Sequence, residues 1–354
     1  MCIGMLAVPT LQFLTQYMQN PELAIKYQGI DKLFKLTFFI AAGFWLSQNL
    51  KLVPWFVAAN LMGFFILLSL QENALDSILT MHTRYRHIFK GIHHEFMSTY
   101  SGVALIASIY LFKPSQNISP KYLRYGVFSL LAASIALCLL FIAFSQTRAI
   151  ILGLIAATAF LLFFHRKNKV IFTLSILSLT TIILLTFTSN IGARFNQEAT
   201  AFLEYMYGER SIPKDNTGYR LLSWKIGAGY ILEYPLTGMG GGANKDSMVN
   251  SPQADGYMKK DLHHYHNSII EFGLAYGIFG AAIIAASIFI YFYYTSSNIP
   301  PALLLYGSTQ IIFLYFINLF ESYFFYWQGV HLLIWALSPV AAFIIAKRLR
   351  LSVS

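Results

Sequence analysis

The sequence predicts an all-α integral membrane protein: a bundle of about ten transmembrane helices with one large external loop that contains short helices. Three observations predict it. The 354-residue chain is 56% hydrophobic and only 11% charged. Its apolar residues fall in repeated runs of roughly 17–28, long enough to cross a hydrocarbon core as helices. One long segment, residues 189–266, breaks this pattern and is polar.

The runs are 1–18, 32–49, 53–71, 96–112, 122–144, 147–164, 170–188, 267–293, 300–318 and 327–346. Backbone N–H and C=O groups in lipid must be satisfied internally, so each run is expected as a helix in a single packed bundle. The alternation of a transmembrane β-barrel is absent, because the runs are continuously apolar. The first run lacks the basic start and small-residue cleavage site of a signal peptide and reads as a span or the remnant of one.

Orientation follows from basic residues in short loops. Lys51 follows the second run, Lys113, Lys121 and Arg124 the fourth, Arg166, Lys167 and Lys169 the sixth, and Lys347, Arg348 and Arg350 the last. Alternation puts all four groups on the cytoplasmic side, with both termini inside and the loop 189–266 outside. Residues 72–95 also fall outside, yet hold Arg84, Arg86 and Lys90 among His82, His87, His93 and His94. Two readings stand for them: an interfacial loop facing anionic head groups, or a patch that attracts an anionic substrate.

The net charge of +10 is spread over anchors and external loops. It makes no nucleic-acid patch, and no base-recognition module is present. Cys2 and Cys138 lie far apart in apolar runs, so neither a metal-ligand spacing nor a disulfide framework is expected. No internal repeat argues for the inverted halves of a transporter.

Polar groups are costly in such a chain, so their placement is informative. Ser145, Gln146, Thr147 and Arg148 form a tight external turn between two spans. Thr147 or Ser145 is expected to cap the following helix by accepting a backbone N–H. Arg148 then stands in a first turn where the helix dipole disfavours a cation. A phosphate would satisfy both the N-terminus and the guanidinium; the alternative is an arginine snorkelling to head groups. The stretch Asn216 to Pro235 reads as an amphipathic helix ended by proline, with Arg220 and Trp224 on one face and Leu222 and Ile226 on another. It presents Arg220 towards the bundle, or it is an interfacial helix with a Trp anchor. Gly238, Gly240, Gly241 and Gly242 follow without the Lys-Ser/Thr pair of a phosphate-binding loop, since Asp246 follows Lys245. They are expected as a turn that permits close approach.

His263, His264 and His266 lie just before a span, with Asp261 nearby. Ser268 and Glu271 match a capping box, so a helix is expected to start at Ser268 with His266 just outside it. Gly273, Gly277 and Gly280 follow at spacings that admit a closely packed helix. Histidine is the side chain suited to accepting a proton near neutral pH. The rival readings are a three-histidine metal site, which lacks the helical His-x-x-x-His spacing of a zinc site, and a structural interfacial cluster.

Together these segments resemble the O-antigen ligase and polymerase superfamily of bacterial membrane glycosyltransferases. The resemblance covers residues 122–346 and rests on Ser145-Gln-Thr-Arg148 opening a span, on Arg220 and Trp224 before a Pro–Gly turn, and on His266-Asn-Ser with glycines after it. It implies a multi-pass protein of the inner membrane with its site in the periplasm. The donor would be a glycan on undecaprenyl diphosphate, the acceptor lipid A–core, and no cofactor, metal or nucleic acid would take part. Membrane lipids would flank the donor's tail. By this resemblance His266 is the base that takes the acceptor's proton, and Arg148 and Arg220 stabilise the diphosphate leaving group. Direct attack by the acceptor implies inversion at the anomeric carbon. Trp224, His263, His264, Arg84 and Arg86 complete the expected substrate-binding set.

Residues 1–121 would then form N-terminal helices, 122–346 the catalytic region and 347–354 a cytoplasmic tail. The family usually carries about two more spans than the runs counted above, so the N-terminus reads as shortened. Compact length and the His-Asn-Ser block favour a ligase over a polymerase or a protein O-glycosylating relative. A lipid-linked-glycan flippase should carry polar residues at mid-span and broken helices, whereas this chain gathers its ionisable groups at one face. Asn318 and Glu321, near the external end of the ninth run, are the exception and could orient His266.

The topology is directly testable. A reporter active only in the periplasm, fused within 196–260, is expected to be active, and one fused after Arg350 silent; the reverse pattern overturns the orientation.

Overall fold

The computed structural model describes residues 10, 12–14, 17–18, 22, 34–70, 88–89, 92–145, 147–165, 169–188, 196–197, 199–201, 203–205, 207, 216–261, 264–295 and 299–349. The helices, in chain order, are α1 (Phe38–Ser47), α2 (Val53–Ser69), α3 (His94–Ser115), α4 (Lys121–Ser145), α5 (Arg148–His165) and α6 (Lys169–Thr188). Then come α7 (Asn216–Glu233), α8 (Asn244–Asn250), α9 (Gly256–Asp261), α10 (Ser268–Thr295), α11 (Pro301–Asn318) and α12 (Trp327–Arg348). The described β structure is a two-residue antiparallel pair, β1 (Ile88–Phe89) with β2 (Ile92–His93), within the basic loop.

Among the described residues six helices are long and apolar enough to cross a membrane: Leu50–Ser69, Glu95–Ser115, Lys121–Ala143, Ser268–Ser287, Pro301–Asn318 and Trp327–Arg348. They coincide with six of the expected runs. The runs 32–49 and 147–164 appear as shorter apolar helices, Lys35–Ser47 and Arg148–Phe163. The run 170–188 is the 20-residue helix α6. The run 1–18 lies mostly outside the described residues.

The chain forms two compact units where the sequence suggested one bundle with a loop. One unit comprises Met1–Phe38, Ala193–Tyr294 and Asn318–Val330; the other Phe39–Gly192, Thr295–Ile317 and His331–Ser354. The cause of the first is that the polar segment builds a core of its own, from Ile226, Ala243, Met248, Ala254, Met258, Tyr265 and Leu274. These residues lie on α7 to α10 and their connections, where apolar positions recur at helical spacing among polar ones.

The second unit is organised by α3, which packs on α2, α4 and α5. Its Ser101 and Ser108 hydroxyls donate to the carbonyls of Met97 and Ala104 one turn back, at 3.0 and 2.8 Å, so hydroxyls on a buried helix need no outside partner. Gly102 leaves the space that the ring of Phe313 on α11 fills. Small residues at such crossings let helices approach closely without a hydrophobic driving force.

The first unit contains a broken span. Within α10, Gly277 adopts φ 58° and ψ −149°, outside helical geometry. The carbonyls of Leu274 and Ala275 are taken instead by the backbone N–H groups of Met239 and Gly240, at 2.7 and 3.0 Å, and Ile278 N donates to Pro235 O at 2.8 Å. Gln12 Nε2 donates to Ala275 O as well, and to Thr237 O at 2.6 Å. The expected turn after Pro235 is therefore a plug for an opened helix. Gly238 sits at φ 67° against Leu274–Tyr276, and a Cβ there would lie 2.5 Å from Leu274 O. The glycines of α10 thus divide their roles. Gly273 admits Ile231 of α7 as expected, whereas Gly277 serves the break and Gly280 faces Tyr276 of its own helix.

A Cβ on Gly277 would fall 2.5 Å from the carbonyl carbon of Leu236 and force a side chain into positive φ. Gly277→Ala is expected to destabilise the protein by about 1–3 kcal/mol or more, read as a lowered Tm in detergent. Gly229→Ala on α7, where a Cβ meets nothing within 4 Å, is the neutral control.

Candidate functional site

The site is built in the first unit from α7, the segment before α10 and the turn after α11. The helix Asn216–Glu233 runs as expected and stops before Pro235, where proline cannot continue it. Arg220 and Trp224 do share a face. Trp224 Nε1 donates to Tyr265 O at 2.9 Å, and Ser223 Oγ donates to the same carbonyl at 3.2 Å. This clamps α7 to the chain just before His266.

His266 has φ 50°, the one positive-φ residue other than glycine among the described residues. A non-glycine side chain held there costs free energy, and such residues concentrate where geometry serves function. Helix α10 then starts at Ser268 as expected, but its cap differs from the expected box. Asn267 Oδ1 accepts from Ile269 N and Ile270 N at 2.9 and 3.1 Å. Ser268 instead turns towards the 318–321 turn, its hydroxyl donating to Asn318 Oδ1 at 2.6 Å and its N–H to Glu321 O at 3.2 Å.

Glu271, freed from capping, is 1% exposed. Its Oε1 accepts from Tyr265 N at 2.8 Å and Ser322 Oγ at 2.6 Å, and its Oε2 accepts from Asn244 Nδ2 at 2.8 Å. One carboxylate thus joins the histidine segment, the turn after α11 and the start of α8. Tyr265 is fully buried beside it and its hydroxyl meets Ser247 Oγ at 2.7 Å. Burial pushes the Tyr265 phenol above its ordinary range, so it stays neutral.

Glu321 is the second organising carboxylate, 4% exposed. Arg220 Nη2 donates to its Oε1 at 2.5 Å while Nη1 donates to Phe320 O at 2.8 Å. His266 Nδ1 lies 3.0 Å from Glu321 Oε2. The side chains of Arg220 and His266 are 27% and 21% exposed, so both reach solvent while the carboxylate between them does not. His264 lies next to His266, ring centroids 4.6 Å apart, and its Nδ1 is 2.8 Å from Tyr326 Oη. Behind this turn the Lys35 ammonium donates to Phe325 O at 3.0 Å and sits 5.5 Å from the centre of the Trp327 ring.

The structure therefore gathers Arg220, Trp224, His264 and His266 of the expected set. Arg148 opens α5 in the second unit, half-buried, as expected for a first-turn residue. The hydroxyls before it are donors and not caps: Thr147 Oγ1 donates to Ser98 Oγ at 3.4 Å and to Ser145 O at 3.3 Å, and Ser145 Oγ donates to Ile142 O at 2.9 Å. His263, Arg84 and Arg86 lie outside the described residues, as does the side chain of Asp261. Among the described residues no group of three His, Cys, Asp or Glu side chains is placed to hold a metal ion. Sequence reasoning missed Tyr326, Asn244 and Lys35, each a single polar residue with no motif around it. It read Glu271 as a local cap.

Residues 133–285 match the family model described as O-antigen ligase. The match takes in Arg148, Arg220 and His266 and supports the O-antigen ligase and polymerase superfamily, whose members are glycosyltransferase-like enzymes. With the apolar helices it indicates a multi-pass membrane protein. None of the curated proteins matches the chain.

Removing the Glu271 carboxylate leaves Tyr265 N, Ser322 Oγ and Asn244 Nδ2 without their acceptor. Each buried donor so stranded costs about 1–3 kcal/mol. Glu271→Ala is therefore expected to lower the yield and Tm of the folded protein severely, and Glu271→Gln, which keeps one acceptor oxygen, less so. A Glu271→Ala protein with unchanged Tm would show that this carboxylate is not structural.

Proposed function

We propose that this chain transfers O-antigen glycan from undecaprenyl diphosphate to lipid A–core on the periplasmic face of the bacterial inner membrane. The carrying observation is the Arg220–Glu321–His266 constellation, assembled around the segment that matches the O-antigen ligase family model. It supplies, within one unit, a guanidinium suited to phosphate and an imidazole held by a carboxylate at a partly exposed position. The catalytic region is residues 122–346, with the loop 189–266 on the periplasmic side.

In the reaction the acceptor hydroxyl oxygen attacks the anomeric carbon from the side opposite the carrier. The bond from that carbon to the diphosphate oxygen breaks, and the electron pair leaves with undecaprenyl diphosphate. His266 takes the hydroxyl proton as the new bond forms, a contribution of about 10²–10⁴-fold. Arg220 and Arg148 stabilise the negative charge that develops on the leaving diphosphate, by a few kcal/mol for a well-placed donor. The planar fork of arginine suits phosphate better than a point charge. Trp224, His263 and His264 shape the acceptor cleft, and Arg84 and Arg86 draw in the anionic donor. The carrier's tail stays among the lipids, so the glycan is transferred without the protein moving the carrier across the bilayer.

The broken helix at Gly277 favours a second reading, a transporter of lipid-linked glycan, since such breaks line substrate paths in transporters. The chain's own groups close this break: Met239 N, Gly240 N and Gln12 take the opened carbonyls of α10. That supports a structural role for the break and leaves transfer as the better reading.

The lipopolysaccharide of a cell lacking the gene separates the alternatives. Loss of long glycan from lipid A–core with carrier-linked polymer retained is the expected result. A single repeat unit still attached indicates a polymerase, and loss of periplasmic carrier-linked glycan a transporter. In vitro, Arg148→Ala and Arg220→Ala are each expected to lower transfer about 10²–10³-fold, with lysine restoring it in part. His266→Ala is expected to lower kcat far more than it raises KM for the donor, and a chelator to change nothing. Activity lost to chelator and restored by metal would replace the general base with a metal site.

A further inference from the structure

We infer that Glu321 is a positioning residue that decides which ring nitrogen of His266 is bare. The inference rests on the reading of His266 as the base. An ionised carboxylate only accepts hydrogen bonds. Arg220 Nη2 donates into Oε1, and Oε2 faces His266 Nδ1 at 3.0 Å. The proton of the neutral ring is therefore drawn to Nδ1, and the lone pair is left on Nε2. When Nε2 takes the acceptor's proton, the same carboxylate faces the imidazolium.

The arrangement is held so that neither partner can drift. Glu321 O accepts from Ser268 N and Ser268 Oγ, both at 3.2 Å, which ties its backbone to the start of α10. Arg220 grips the turn at two points, the carboxylate and Phe320 O. His266 itself is set by a backbone in the left-handed region, and an imidazole on an ordinary backbone there would leave in another direction. The neighbouring His264 has a partner of its own, with Tyr326 Oη 2.8 Å from its Nδ1.

The discriminating variant is Glu321→Gln, which keeps the size and one acceptor oxygen. Arg220 takes that oxygen, and the amide NH₂ is turned to His266 Nδ1. Nδ1 must then accept, the proton moves to Nε2, and the base is blocked. The expected result is a fall in kcat of about 10²-fold or more with donor KM within about threefold. Nitrogen NMR of ring-labelled protein in detergent, with the His266 signal assigned by its loss in His266→Gln, is expected to show the proton on Nδ1 in the native protein and on Nε2 in the variant. Glu321→Asp, which keeps a carboxylate, is expected to retain the Nδ1–H form with intermediate kcat, and serves if the glutamine variant does not fold. In the His266→Ala background Glu321→Gln is expected to cost nothing further. Glu321→Gln at near-native kcat, a fall in kcat with the proton still on Nδ1, or an Nε2–H ring in Glu321→Asp each overturns the inference. Full activity in His266→Ala overturns the general-base reading itself, whereas an inactive His266→Ala beside an active Glu321→Gln overturns only the role of Glu321.

Discussion

A carboxylate withdrawn from water has to be paired or hydrogen-bonded, and two of them organise the unit that carries the candidate site. Glu271 and Glu321 are 1% and 4% exposed. Each is held by partners from other segments. Glu271 reaches across six residues to Tyr265 N, 27 to Asn244 and 51 to Ser322; Glu321 reaches 55 to His266 and 101 to Arg220. Satisfying these charges obliges α7, the histidine segment and the turn after α11 to meet. The apolar core beneath them makes that meeting compact, but it is non-directional and could not by itself aim an imidazole or a guanidinium.

The same demand for satisfied polar groups explains the break in α10. Opening a span exposes carbonyls that lipid cannot solvate. Leu274 and Ala275 present such carbonyls, and the chain answers with Met239 N, Gly240 N and the Gln12 amide. Two glycines lie back to back where the strands of chain pass, Gly238 and Gly277, both at positive φ. Neither position admits a Cβ, since each would meet backbone atoms of the other segment. The glycine-rich turn and the interrupted helix are therefore one feature, and it ties the chain that follows α7 to the middle of α10.

Geometry divides the polar residues of this unit into two kinds. Glu271, Ser247, Tyr265 and Asn244 are buried and engage one another. Their service is rigidity. Arg220 and His266 keep about a quarter and a fifth of their side chains exposed, with only the connecting carboxylate hidden. A pair of solvent-reaching groups fixed by a buried one is how a protein preorganises donors for charge that appears only during reaction. The backbone of His266, held at positive φ, is the cost of that aim.

Local physics made much of this legible in the sequence alone. Length and hydropathy located the six helices long and apolar enough to span, because a bilayer imposes a minimum apolar run on any span. Proline ended α7, the start of α10 fell at Ser268, and Arg220 and Trp224 shared a face, because these depend on neighbours within one or two turns. What required the tertiary structure was every partnership of longer range. Ser268–Glu271 satisfies the pattern of a capping box, yet Asn267 caps the helix while both residues turn to partners near residue 320. Gly277 has the spacing of a packing glycine, yet its φ of 58° serves a break. Thr147 stands where a cap would, yet donates to Ser98. For Ser268 and Glu271 the local motif offered one hydrogen bond and the folded chain offered buried ones elsewhere. Sequence spacing carries no record of which distant group comes within 3 Å, so the carboxylate joining Arg220 to His266 became definite only when the chain brought residue 321 to them.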